Sequence, residues 1–132
     1  MGITFIEGTV LGPSGKLVTV SFLVDSGASY TLLSETQWKA IELTPKRRMT
    51  FKLADGTAIE RNISECHITL PQGEGTTPVI LGESDDQPLL GVITLEILGL
   101  TLNPFNRTLQ PMRAMLAQSA QRGSLSLSGK SR

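Results

Sequence analysis

The feature that most constrains this sequence is an alternating apolar strand that runs directly into a short acidic loop. In Leu17–Val24, every second residue from Val18 onward is Val or Phe. Such alternation predicts a strand with one buried face. The next residue is Asp25, followed by a Ser-Gly-Ala tripeptide. A carboxylate is therefore expected to emerge at the end of a core strand.

Turn signals divide much of the chain into short extended runs, which predicts a mostly β domain. A Gly-Pro-Ser-Gly turn at 12–15 joins a strand at 3–10 to the strand at 17–24. An Asp-Gly turn joins strands at 49–53 and 57–63 into a second hairpin with a polar tip. Further strands are expected at 65–70, 77–81 and 100–102, with a loop at 71–75 between the first two.

Two short helices fit the remaining pattern. Ser34 is a suitable N-cap, and Gln37 three residues later completes a capping box, which predicts a helix through about Ile41. The apolar spacing at 92–98 suits a second short helix, with Gly99 placed to end it. The sequence therefore predicts a β fold with one or two short helices.

Composition excludes several functional classes. The 132 residues correspond to about one domain. Twelve basic and twelve acidic residues leave no positive excess for nucleic-acid phosphates, so no nucleic-acid partner is expected. Cys66 is the only cysteine and His67 the only histidine, which argues against an intrachain disulfide, a zinc cluster or a histidine-based triad. Cys66 is interpreted as a packing residue and His67 as a residue of a strand.

No targeting or membrane segment is predicted. The N-terminus lacks a basic region followed by an apolar one, and the most apolar stretch, 89–102, contains Glu96 and is shorter than the roughly 20 residues that cross a bilayer. We therefore expect a soluble, cytoplasmic protein without membrane contact. Residues 117–132 are rich in Ser, Gly and Gln, which predicts a domain at 1–116 and a disordered tail at 117–132.

The tetrapeptide after the core strand resembles the hallmark of the retropepsin-like aspartic proteases, Asp-Thr/Ser-Gly-Ala. The second hairpin stands where that family has its flap, and Leu-Leu-Gly before a short helix matches its second signature, two apolar residues and a Gly. The matching residues are Asp25, Ser26, Gly27 and Ala28 in the catalytic loop, Ala54, Asp55, Gly56 and Thr57 in the flap, and Leu89, Leu90 and Gly91 in the second signature.

The resemblance implies an acid-protease barrel that is active as a symmetric homodimer on a peptide or protein substrate, without cofactor or metal. This mechanism needs two carboxyls that share one proton. Of the four aspartates, only Asp25 lies in the motif, so the second carboxyl must come from Asp25 of another copy.

The resemblance also implies the supporting roles. Ser26 would hydrogen-bond to the partner's loop, and Gly27 would let substrate approach the backbone. Ala28 and the Leu-Leu-Gly segment would pack behind the loop, while the flap would close over the substrate. Viral members often have Asp and Arg where this chain has Ser29 and Val92, which suggests the cellular or bacterial branch.

Two other interpretations stay open at this point. The chain could be a non-catalytic dimerisation or peptide-binding module that keeps the fold, since a fold does not by itself establish turnover. Alternatively, Asp-Ser-Gly could be only a turn in which Asp25 accepts backbone hydrogen bonds. Facing Asp25 carboxyls would exclude the turn interpretation, and peptide cleavage would exclude the binding module.

Overall fold

The structure is a computed structural model that describes residues 4–103 and 105–112. These residues fall into two compact units, which divide between Leu98 and Gly99. In chain order the elements are β1 (Phe5–Leu11), β2 (Leu17–Val24), β3 (Thr31–Leu33), α1 (Glu35–Ala40), β4 (Arg47–Lys52), β5 (Ala58–Leu70), β6 (Gly73–Leu81), β7 (Leu89–Leu90), α2 (Val92–Ile97), β8 (Leu100–Leu102) and β9 (Leu109–Pro111).

The first unit is organised by one seven-stranded sheet with the order β1-β2-β7-β3-β6-β5-β4. Hairpins β1–β2, β4–β5 and β5–β6 are antiparallel, whereas β2–β7 and β3–β6 are parallel pairs. Strand β1 also pairs with β5 through Thr9, Val10 and Leu11. In the second unit, β8 and β9 form an antiparallel pair. The fold is mostly β with two short helices, as the sequence predicts.

The core of the first unit is built from the alternating strands. Val20, Phe22 and Val24 of β2 are all buried, so the face predicted from the alternation is confirmed. Burying a side chain of this size stabilises the fold by about 1.5–3 kcal/mol, which fixes β2 firmly in the sheet. The core residues of this unit that are at most 1 % exposed are Val10, Val20, Phe22, Leu33, Ile41, Ile63, Ile68, Val79 and Leu90.

Both predicted helices are confirmed, and each begins where the sequence indicates. Ser34 precedes α1, and its backbone N–H donates to Oε1 of Gln37 at 3.0 Å, as a capping box requires. Helix α2 begins directly after Gly91. Gly99 has a φ of +70°, the left-handed conformation expected of the residue that ends a helix.

Two predictions for this part of the chain are wrong: the separate strands at 57–63 and 65–70, and the loop at 71–75. Strand β5 runs without interruption from Ala58 to Leu70, and β6 begins at Gly73, so only Pro71 and Gln72 connect them. Ser64 is buried and pairs with Val79, and Gly75 pairs with Ile68. Polar residues and glycines, which intrinsic strand propensity disfavours, can therefore lie within a strand when their backbones are hydrogen-bonded to a neighbouring strand.

Strands β3, β7 and β9 were not expected from the sequence. They contain two or three residues each, and β3 and β7 exist because they pair with distant strands. The predicted tail at 117–132 lies outside the described residues. Neither described helix, at six residues each, has the length or apolar character to cross a membrane.

Candidate active site

Asp25 is held at the end of β2 by the neighbouring parallel strand. Leu23 and Val24 pair with Leu89 and Leu90 of β7, and the Asp25 backbone N–H then donates to the carbonyl of Leu90 at 3.2 Å. The sheet therefore fixes the backbone of Asp25, and Asp25 is half-buried at the end of β2. The sequence prediction of a carboxylate at the end of a core strand is confirmed.

The loop after Asp25 closes on the aspartate itself. The Gly27 N–H donates to Asp25 Oδ1 at 2.9 Å, and the Ala28 N–H donates to the Asp25 carbonyl at 3.0 Å. These two bonds make a tight turn that leaves Ser26 and Gly27 exposed and orients one carboxylate oxygen. The loop thus presents a carboxyl and a hydroxyl at the same surface.

The second signature lies directly behind this loop. The backbone N–H groups of Val92 and Ile93, in the first turn of α2, each donate at 2.9 Å to the carbonyls of Ala28 and Ser29. Ser29 and Val92, the two departures from the viral pattern, thus join the loop to the helix through their backbones. The structure brings the predicted catalytic loop and the Leu-Leu-Gly segment together.

Gly91 is required by this packing. A Cβ at this position would lie 2.5 Å from the backbone carbon of Tyr30 and 2.7 Å from the carbonyl oxygen of Ser29. Such distances are far inside van der Waals contact, and the atoms concerned are backbone. Only glycine lets the start of α2 lie this close to the loop.

Three buried threonine hydroxyls connect this region to β6. Gly91 N–H donates to Thr31 Oγ1 at 3.0 Å, Thr31 and Thr94 hydroxyls lie 2.5 Å apart, and those of Thr94 and Thr77 lie 2.7 Å apart. The Thr77 hydroxyl donates to the Pro78 carbonyl at 3.3 Å. A hydroxyl both donates and accepts. Each hydroxyl in this series can therefore accept one hydrogen bond and donate the next, ending at the Pro78 carbonyl.

We name these residues, Thr31, Thr77 and Thr94, the threonine cluster. All three are fully buried. They were not identifiable from the sequence, because threonine is common on exposed faces of strands and no local signal shows that three of them meet. The cluster fixes β3, β6 and α2 around the loop.

Replacing Thr94 with Val should destabilise the domain by about 1–3 kcal/mol, because it leaves the buried hydroxyls of Thr31 and Thr77 without their shared partner. Thr36→Val is the matched control, since Thr36 is an exposed helical threonine. Urea unfolding of both variants measures the difference. Equal unfolding free energies would contradict a stabilising role for the cluster.

The β4–β5 hairpin occupies the position predicted for the flap. Its turn is closed by the Leu53 N–H, which donates to the Thr57 carbonyl at 2.8 Å, and Gly56 supplies a φ of +92°. Hydrogen bonds from the backbone N–H and the hydroxyl of Thr57 hold the pKa of the Asp55 carboxyl below its ordinary value. The tip, Ala54 to Thr57, is exposed throughout.

A cavity of about 380 Å³ lies between the hairpin and the loop that follows Asp25. Gly27 and Ala28 line it on one side, and Phe51 and Ile59 line it from the strands of the hairpin. Tyr30, also a lining residue, packs edge-to-face against Phe51 with ring centroids 5.8 Å apart. The strands of the predicted flap thus share a concave surface with the predicted catalytic loop.

Cys66 and His67 lie away from this surface. Cys66 is buried, and burial raises the pKa of its thiol to about 12, so the thiol stays protonated and is a poor nucleophile at neutral pH. His67 Nε2 lies 2.7 Å from Glu74 Oε1 on the adjacent strand. Among residues 4–103 and 105–112, no three His, Cys, Asp or Glu side chains cluster as metal ligands would.

The structure thus places a half-buried aspartate at a strand end, two residues before a loop segment that lines a cavity together with the strands of a β-hairpin. Residues 14–96 match the family model described as "gag-polyprotein putative aspartyl protease". The chain belongs to this family of retroviral-type aspartyl proteases, and the resemblance seen in the sequence is confirmed.

Comparison with solved structures supports the fold. The chain is similar to EIAV protease complexed with the inhibitor HBY-793, with a TM-score of 0.58 and 15% identity over 77% of this chain and 93% of that chain. In all, 175 chains of solved structures match. No curated protein matches.

Proposed function

We propose that this protein is an aspartic endopeptidase in which two copies of the chain form a symmetric homodimer and each contributes Asp25 to one active site. The observation that carries the proposal is the geometry of Asp25. The core strand β2, its parallel neighbour β7 and the Gly27 N–H fix this aspartate next to the loop residues that line the cavity together with the hairpin strands. Family membership and the shared fold support a protease-like function.

The proposed reaction is the hydrolysis of a peptide bond by a water held between the two carboxyls. The ionised carboxyl takes a proton from the water, whose oxygen bonds to the carbonyl carbon, while the protonated carboxyl donates to the carbonyl oxygen. In the tetrahedral intermediate one carboxyl then protonates the nitrogen, the other takes a proton from a hydroxyl group, and the C–N bond breaks to give the carboxylic acid and the amine. The pair of carboxyls ends with one proton, as it began.

None of the other three aspartates lies in the loop after β2, which is why the second carboxyl is assigned to a second copy; Asp85 is exposed in the turn before β7. Asp55 accepts both hydrogen bonds from Thr57 at the hairpin tip. Asp86 Oδ2 accepts the Glu83 N–H at 2.6 Å in a separate turn. Ser26 is exposed beside Asp25; in the proposed dimer its hydroxyl bonds with the partner's loop and aligns the two carboxyls.

The dependence of peptide cleavage on protein concentration and pH tests this proposal. A shared site predicts that the rate per protomer rises with concentration as sedimentation shows monomers becoming dimers. The rate should also fall on both sides of a pH optimum, because the pair must hold one proton. Ser26→Ala should weaken dimerisation and turnover together. A fully active monomer would overturn the shared site.

The same experiment distinguishes the second candidate, a peptide-binding or dimerisation module without turnover. The cavity and hairpin could bind a peptide whether or not its bond is cleaved. Dimers that bind peptides from a library but cleave none of them across the pH range would establish this module and exclude the endopeptidase.

A further inference from the structure

The cavity beside the Asp25 loop is apolar on most of its wall but carries two cationic side chains. Leu32, Ile80 and Leu89 line it from the sheet. Lys52 and Arg61 line it from the two strands of the hairpin. An apolar cavity with a few charged groups at defined positions is typical of a site that selects one kind of side chain.

Arg61 lines this cavity and also the neighbouring one that Glu60 and Glu83 line, and its guanidinium keeps hydrogen-bonding capacity. Its side chain is only 27% exposed, and its Nη1 donates to the Glu60 carbonyl at 3.1 Å. Its Nη2 lies 3.9 Å from Glu83 Oε2, and Glu83 is 68% exposed. An ion pair so long, with a solvated partner, contributes little. A guanidinium has five N–H donors, so donors remain for a ligand.

The one acidic lining residue does not cancel this charge. Asp86 Oδ2 accepts the Glu83 N–H, and the Asp86 N–H donates back to the Glu83 carbonyl at 3.2 Å. The side chain and the backbone N–H of Asp86 are thus both hydrogen-bonded to Glu83 within one turn. The lining contains two cations against this single anion, so the cavity favours a negatively charged ligand group.

We propose that this cavity selects an acidic side chain, Glu or Asp, of the peptide substrate, with Arg61 and Lys52 as the specificity-determining residues. The proposal rests on the endopeptidase function above. The selected side chain lies close to the scissile bond, because Gly27 and Ala28 of the cavity wall lie two and three residues after Asp25. Arg61 pairs with the carboxylate, and the apolar wall contacts the methylene groups.

Matched peptide substrates test the proposal. Starting from a peptide that the protein cleaves, each position near the scissile bond is varied among Glu, Gln and Leu. At one position kcat/KM should be at least about tenfold higher for Glu than for Gln, which corresponds to about 1.4 kcal/mol. Arg61→Gln should remove this preference, and Lys52→Gln should weaken it.

Arg48→Gln is the matched control. Arg48 lies on the same hairpin, and its guanidinium pairs with Glu60 at 2.7 Å rather than lining the cavity. This variant changes the net charge equally and should keep the preference for Glu. Arg61→Lys, which retains the positive charge, should keep part of it. A preference lost equally in Arg48→Gln and Arg61→Gln would overturn the proposal, because it would reflect overall charge.

Binding to the Asp25→Asn protein separates this inference from the proposed function. Fluorescence anisotropy of labelled Glu and Gln peptides measures selection without cleavage. Cleavage with no preference for an acidic residue at any position would overturn the specificity and leave the endopeptidase. Preferential binding of the Glu peptide, lost in the Asp25→Asn/Arg61→Gln double variant, would support the pocket even if the wild-type protein cleaved no peptide.

Discussion

Replacing Asp25 with Asn is expected to abolish peptide cleavage while leaving the domain folded. Asn has nearly the same volume, and its side-chain oxygen can still accept the Gly27 N–H that Asp25 Oδ1 accepts at 2.9 Å. The amide cannot exchange a proton with water or with the peptide carbonyl. The rate should therefore fall by at least about 10³-fold, within the range of about 10²- to 10⁴-fold that general acid–base catalysis contributes.

The measurement is kcat/KM on a cleaved peptide, with thermal unfolding and sedimentation of the same samples. Asp85→Asn is the control, since Asp85 is exposed in the separate segment before β7 and should retain full activity. The Asp25→Asn protein should unfold cooperatively and remain a dimer. A variant that cleaves at the wild-type rate would remove Asp25 from the mechanism.

Replacing Gly91 with Ala is expected to cause the largest loss of stability. The new Cβ would lie 2.5 Å from the Tyr30 backbone carbon, and the surrounding atoms belong to the loop that α2 holds through Ala28 and Ser29. Neither the backbone of the loop nor that of α2 can move away without breaking the hydrogen bonds that join them. Overpacking of this kind should cost about 3 kcal/mol, and cleavage should fall as the Asp25 loop is displaced.

Urea unfolding of Gly91→Ala against Gly73→Ala provides the comparison. A Cβ on Gly73 would meet its nearest atom, the Leu98 carbonyl oxygen, at 3.9 Å, which is ordinary contact. Gly73→Ala should therefore stay within about 1 kcal/mol of the wild type. Similar unfolding free energies for the two variants would contradict the close approach of α2 to the loop.

The parts of the fold that were predictable from sequence are those with local signals. The alternation in β2, the Asp-Gly turn at Asp55 and Gly56, and the Ser34–Gln37 capping box each depend on neighbouring residues, and each forms as expected. The uninterrupted β5 was not predictable, because its pairing with β6 holds polar residues such as Ser64 in the ladder. Strands as short as β3 and β7 exist only through distant partners.

The candidate site also contains residues that the sequence identifies and residues that only the fold brings together. Asp25, its loop and Gly91 were found from a motif, and the structure brings them together through backbone hydrogen bonds. The threonine cluster was missed because its three hydroxyls come from β3, β6 and α2. Arg61 was missed because a charged residue in a strand usually faces water, and only the fold shows that this one lines the cavity.

The most direct test of the shared active site is to mix wild-type protein with the Asp25→Asn protein. Each mixed dimer would contain one catalytic carboxyl, so at a tenfold excess of the variant, cleavage per wild-type protomer should fall to about a tenth, if the two chains pair at random. The total concentration is kept high enough that all chains are dimeric by sedimentation. Cleavage per wild-type protomer that stays constant across the mixtures would contradict the account, because each chain would then contain a complete site.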